Sequence, residues 1–133
     1  MKIKYFLFSI SLIVFLVTCN STQKLNNNNN EEPVVIANDS LEYEIIIIDP
    51  GFNLYLNSVA RPKGFYSQNY LENKNQFFVA AWNYRANNPL QFNPSIYENV
   101  IEYDNNVDYG YDVNYKLFNY FLFAQQKYRM QLR

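Results

Sequence analysis

One cysteine, Cys19, and no histidine stand in a chain of 133 residues. No internal disulfide can form, and a zinc site of the usual kind lacks its ligands. Whatever folds here must be held by a hydrophobic core alone. The material for that core is aromatic. There are 13 tyrosines, 11 phenylalanines and one tryptophan, and all but Tyr5, Phe6, Phe8 and Phe15 follow residue 40. Burying one large apolar side chain contributes roughly 1.5–3 kcal/mol. A segment this rich in rings can hold together without staples.

The position of Cys19 divides the chain. Lys2 and Lys4 precede an apolar run from Tyr5 to Val17, broken only by Ser9 and Ser11. A membrane span needs about 20 apolar residues, whereas the core of an export signal needs roughly 7–15 behind a positive start. The run fits the signal. It closes on Leu16-Val17-Thr18-Cys19, which resembles a bacterial lipobox, with Thr18 standing where a smaller residue is usual. Residues 1–18 are therefore expected to be a lipoprotein signal peptide, and Cys19 the lipidated residue. The expected address is the cell envelope, lipid-anchored at the outer membrane. Residues 19–40 contain five consecutive asparagines, Asn26 to Asn30, then Glu31, Glu32 and Pro33. So little apolar surface predicts a flexible tether. Asp39-Ser40-Leu41 resembles a bacterial O-glycosylation tripeptide, which makes Ser40 a candidate acceptor.

Residues 41–133 are expected to form one globular α+β domain, with two or three main helices packed on a small two-stranded sheet. Tyr43 to Ile48 holds four consecutive isoleucines and reads as a strand buried on both faces. Asp49 and Pro50 suit the N-cap and first position of a short helix with Phe52, Tyr55, Leu56 and Val59 on one side. Ser67 reads as the next N-cap, with Tyr66 and Leu71 as a hydrophobic staple. Tyr70, Lys74, Phe77, Phe78, Ala81, Trp82 and Arg85 follow as one inward stripe. Asn99 to Tyr103 reads as the second strand, and roughly Asp112 to Met130 as a final helix apolar over much of its circumference. Such a helix is either central in the fold or faces a partner.

The missing histidine removes the commonest general base and metal ligand near neutral pH. Three scattered glycines (Gly51, Gly64, Gly110) cannot cradle a nucleotide. No catalytic residue, cofactor or metal is expected, and the domain reads as non-enzymatic. Asp104, Asp108 and Asp112 are the densest carboxylates, with Glu98 and Glu102 upstream. They miss the EF-hand pattern, because glycine falls at position seven and Tyr115 at position twelve. Turns and a helix cap are their expected roles, calcium binding is the alternative, and a carboxylate-based hydrolase is the least favoured use. Arg61, Lys63, Tyr66 and Arg85, with Tyr70 and Trp82, form the candidate ligand-binding set, because cations beside exposed aromatics suit a glycan or peptide. Losing Lys2 and Lys4 would move the net charge from −1 to −3, so nucleic acid is not an expected partner.

Three stretches carry a family resemblance. They are Asp49-Pro-Gly-Phe-Asn53, Arg61-Pro-Lys-Gly-Phe-Tyr-Ser-Gln68 with Tyr70-Leu-Glu72, and Asp108-Tyr-Gly-Tyr111 with Val113-Asn-Tyr115 and Asn119-Tyr-Phe121. The chain resembles small lipoproteins of flavobacterium-like bacteria that share a domain of unknown function. The resemblance implies the lipid anchor and one fold, and carries no activity or site residue. The expected function is a membrane-anchored envelope scaffold or accessory subunit, with the 112–130 helix as docking surface for an envelope protein. A glycan- or peptidoglycan-binding module is the alternative.

Overall fold

The computed structural model describes residues 32–133. Two strands, β1 (Val34–Asn38) and β2 (Tyr43–Ile47), are followed by three helices, α1 (Phe52–Ser58), α2 (Gln68–Ala86) and α3 (Gly110–Lys127). The architecture is α+β, as the sequence predicts, with the helices packed on a two-stranded antiparallel sheet. The isoleucine strand lies where expected, and its partner does not.

The partner of the isoleucine strand is Val34–Asn38, paired from Val34↔Ile47 to Asn38↔Tyr43. The domain therefore begins by Val34, inside the stretch expected to be tether. Val34-Val35-Ile36 is a β-branched triplet that suits a strand. A single turn, Asp39–Leu41, joins the strands. Asn38 caps it by accepting from the Ser40 N–H at 3.0 Å, and Glu42 takes the left-handed conformation. Ser40 thus sits exposed in a tight hairpin connection and not in a loose linker. Cys19, the apolar run and residues 20–31 lie outside the described residues.

The sheet is covered on one face only. Ile36 and Ile47 are buried, and Val34, Tyr43 and Ile45 pack against the same core. Ile46 and Ile48 are 55% and 74% exposed. The isoleucine run thus obeys the period of two, and its expected burial on both faces is corrected. Asn99 to Tyr103 forms no strand. The side chain of Asn83 occupies the place of a neighbouring strand there. It donates to the Ile101 carbonyl and accepts from the Ile101 N–H, both at 2.8 Å.

Helix α1 starts from Gly51, at φ 94°, and not from Asp49. The Asp49 carboxylate turns to the other end of the chain, where it pairs with Lys127 and accepts from the Tyr128 hydroxyl at 2.9 Å. Helix α2 begins as expected, with the Ser67 hydroxyl accepting from the Tyr70 N–H at 3.3 Å. Tyr66 and Leu71 share one apolar cluster.

Helix α3 is the centre of the fold. β1, α1 and α2 all pack on it. Val113, Leu117, Phe121 and Ala124 lie in the main core, and Tyr115 and Phe118 face Leu71 in a second cluster. Its apolar circumference is consumed inside the domain, so the helix expected as a docking surface has no spare apolar side. Asn114 and Asn119 are also fully enclosed. Asn114 Oδ1 accepts from the Tyr103 hydroxyl at 2.7 Å and from Asn75 Nδ2 at 3.0 Å, which ties α2 to α3. Asn119 Nδ2 donates to the Tyr115 carbonyl at 2.8 Å. Among the described residues, no helix is long and apolar enough to cross a membrane.

Candidate docking face

Three of the four candidate ligand residues converge. The loop carrying Arg61, Lys63 and Tyr66 is held by the first turns of α3. Tyr115 donates to the Arg61 carbonyl at 2.7 Å, and the Tyr111 hydroxyl bonds Gly64 N–H at 2.7 Å and the Tyr66 carbonyl at 3.2 Å. Lys63 pairs with Asp112 at 2.7 Å in the open. The Arg61 guanidinium lies 5.1 Å from the Phe65 ring centre. The Tyr66 ring stacks on Tyr70 at 4.9 Å and packs edge-on against Phe118 at 5.3 Å, so it is half-buried and part of the wall.

Arg85 is not part of this group. It lies in the last turn of α2, about 27 Å from Ser67 at 1.5 Å per residue. There it donates to the Tyr97 hydroxyl at 2.7 Å and to the Gln131 carbonyl, and lies over Phe92 and Tyr97. Its role is to fasten the end of the chain to the segment after α2. Trp82 is core, with its indole N–H on the Asn99 carbonyl at 2.9 Å. Arg85 and Trp82 therefore leave the binding set.

The inward side of α2 is Leu71, Asn75, Val79 and Trp82, so Trp82, Phe78 and Ala81 of the expected stripe face the core, whereas Tyr70, Lys74 and Phe77 are exposed by a rotation of about one position. Asparagine at 75 disguises that face, because it is buried to meet Asn114. The rotation leaves a second apolar row outside. Tyr70, Phe77 and Tyr84 are 41%, 72% and 58% exposed. At seven-residue intervals they stand one above another, about 10 Å apart along the axis. The exposed residues between them are uncharged except Lys74, whose ammonium lies 5.8 Å from the Tyr70 ring centre. Aromatics with depleted charge are the composition of an interface core. The row begins beside Tyr66, which packs in turn on Phe65. Its signal in the sequence was a seven-residue repeat in a helix too apolar for one buried face.

The acidic residues are spent locally. Asp104 accepts from the Asn106 N–H at 2.9 Å and Asp108 from the Gly110 N–H at 2.9 Å, the turn roles expected of them, whereas the N-cap of α3 is Tyr109 with no side-chain cap bond. Gln68 Nε2 donates at 2.7 Å to both Glu72 and Asp108, so two carboxylates face a groove of about 270 Å³ and hold the start of α2 to the 103–108 loop. Among the described residues, no group of three or more metal-type ligands is gathered.

A wider bowl, about 560 Å³, adjoins that loop and is lined by Tyr43, Tyr103, Tyr109, Asn105 and Asn106 with Glu102 and Asp104. The Tyr103 phenol is pushed up to about 12, first by burial and then by the Glu72 charge. Burial also raises Tyr43, helped by the neighbouring Tyr109. Both stay neutral hydrogen-bonding groups through the physiological range.

Three helices on a two-stranded sheet, with one helix enclosed and another showing aromatic rings outward, make this a small α+β domain with a solvent-facing apolar helix side. The chain belongs to a family of unknown function, DUF6146, whose model matches residues 7–133. No curated protein and no solved structure matches it.

Proposed function

We propose that the protein is a lipid-anchored component of the bacterial cell envelope, held at the outer membrane through Cys19, whose domain is a non-enzymatic accessory subunit docking on a helix of a partner protein. The observation that carries the docking is the row Tyr70, Phe77, Tyr84 on the outer side of α2. Rings repeating every seven residues present ridges that fit a second helix. Lys74 on the row favours a partner helix with acidic flanks. The anchor is supported by the apolar run and the lone cysteine that closes it.

Photocrosslinking from position 77 in intact cells tests the docking. A dominant partner band is expected, lost on Tyr84→Ser with the domain still folded. A domain that forms no adduct, or whose adduct ignores that substitution, would sink the proposal. Intact-mass analysis of membrane extracts tests the anchor, which fails if Cys19 carries a free thiol.

The polar bowl favours one second reading, glycan binding. Its tyrosine rings and amides suit sugar hydroxyls, and Glu102 and Asp104 select neutral sugars over anionic ones. Binding to a neutral-glycan array, lost on Asn105→Ala, would support it. Silence across the array would remove it.

A further inference from the structure

The sheet has an open edge. β2 pairs with β1 on one side only, and among the described residues no backbone hydrogen bond joins it to the 95–103 segment on the other. The two come together at one end, where the Tyr43 hydroxyl donates to the Glu102 carbonyl at 2.7 Å. They then part. A groove of about 320 Å³ opens between Ile45–Ile48 and the segment from Ser95 to Ile101, floored by Trp82, Tyr120 and Tyr128. The far wall starts in a turn at 94–96 and runs on without regular structure, held where Trp82 bonds the Asn99 carbonyl and Asn83 bonds the Ile101 backbone.

An edge strand presents unpaired N–H and C=O groups, and natural proteins usually blunt such an edge with charge, proline or cover. Here Ile46 and Ile48 stand exposed beside it. The charge of the groove is one-sided. Asp49 is neutralised by Lys127. Glu98 lines the same groove with no ion-pair or hydrogen-bond partner among the described residues, and its charge adds to the burial that raises the Tyr120 and Tyr128 phenols. Glu44 and Glu102 are exposed nearby. A second copy laid on this edge would bring like charges together, whereas a basic strand would meet its complement.

We propose that the free edge of β2 accepts an extended cationic peptide from a partner protein as a third strand, with its aliphatic side chains over Ile46 and Ile48 and a lysine or arginine against Glu98. The backbone ladder supplies affinity and the carboxylate supplies selectivity. The site is independent of the α2 face, so Phe77→Ser leaves it unchanged.

The test is fluorescence anisotropy of the full chain with three labelled hexapeptides. They are Lys-Val-Thr-Val-Thr-Val, the same sequence with glutamate first, and the lysine peptide N-methylated at alternate amides. Saturable binding of the lysine peptide is expected. The glutamate peptide should bind about fivefold weaker or worse, and the methylated one not at all, because it cannot donate to the ladder. Glu98→Gln, on an exposed residue that folding does not need, should weaken the lysine peptide by about fivefold, the scale of one partly exposed ion pair. Equal binding of all three peptides, no binding at about 1 mM, or a Glu98→Gln variant that still separates lysine from glutamate would overturn the proposal. A two-chain complex that the lysine peptide cannot dissociate would do so as well.

Discussion

Replacing Asn114 with alanine should cost about 2–3 kcal/mol of stability, a large fraction of what a domain this size holds. The figure follows from its neighbours. Asn114 is fully buried. Its Oδ1 accepts from the Tyr103 hydroxyl at 2.7 Å and from Asn75 Nδ2 at 3.0 Å. Asn75 Nδ2 also reaches the backbone carbonyl of residue 114 at 3.0 Å, so alanine does not strand it. The Tyr103 hydroxyl does lose its acceptor. Tyr103 is half-buried at the wall of two grooves and can recover some solvent, so about 1 kcal/mol is the fair charge for that bond. The void left by the amide adds about 1–2 kcal/mol. Tyr103→Phe alone removes the same bond without the void, and should cost about 1 kcal/mol. In the double mutant that bond is counted once, so the cycle should show a coupling of about 1 kcal/mol. Urea titration followed by the fluorescence of Trp82, the chain's one tryptophan, reads all four proteins. The midpoint should move and the slope should not. Additivity within about 0.3 kcal/mol, the usual result for independent sites, would show that the Tyr103–Asn114 contact contributes nothing and that the account of the α2–α3 junction is wrong.

Gly51→Ala should destabilise the domain by about 1–2 kcal/mol, because an L residue is strained at φ 94° and the new methyl would lie 3.5 Å from the Phe123 ring; chemical denaturation checks it. Arg85→Ala should lower stability by about 1–2 kcal/mol through the lost contacts to Tyr97 and the chain end, while leaving any glycan or peptide affinity unchanged; a change in affinity without a change in melting would return Arg85 to the binding set. Alkaline unfolding should precede that of an ordinary tyrosine protein. Burial raises the Tyr43, Tyr103, Tyr120 and Tyr128 phenols in the folded state, with Tyr103 and Tyr128 each at about 12. Their neutral forms are favoured by folding. That stability is whole below the unfolded value near 10 and drains as pH rises toward 12. A melting temperature flat from pH 9 to 12 would contradict it.

Where local chemistry decides structure, the residues announce it. Ser67 is read as an N-cap and is one, whereas the apolar breadth of α3 admits either a central helix or a partner-facing one, and the helix is central. The errors fall where tertiary contacts outvote composition. Val34–Asn38 follows a polar stretch, so three β-branched residues look like the end of a tether, and 99–103 looks like the second strand in their place. Nothing in the local sequence says that the Asn83 amide will take the neighbouring strand's place beside Ile101. Asn75, Asn114 and Asn119 are polar by type and buried in fact, which a periodicity argument cannot anticipate. One of them rotated the reading of α2 and hid its outer row.

That rotation also moves the docking surface. An apolar helix enclosed by β1, α1 and α2 has spent its surface inside the fold, whereas Phe77 is 72% exposed where it stands. Tyr70 packs one side on Tyr66 and Phe118, yet the outer sides of the rings at 70, 77 and 84 stay open, and that exposure makes the surface more prone to association. A chain free in solution gains nothing from such a row. A chain held to a membrane by Cys19 meets its partners at a raised effective concentration, so a narrow helical face becomes sufficient for binding. The proposed anchor and the outward face of α2 would therefore act together. Cys19→Ser should weaken the position-77 crosslink in cells although residue 19 is far from it in the chain. An undiminished crosslink from the released protein would show that docking needs no membrane.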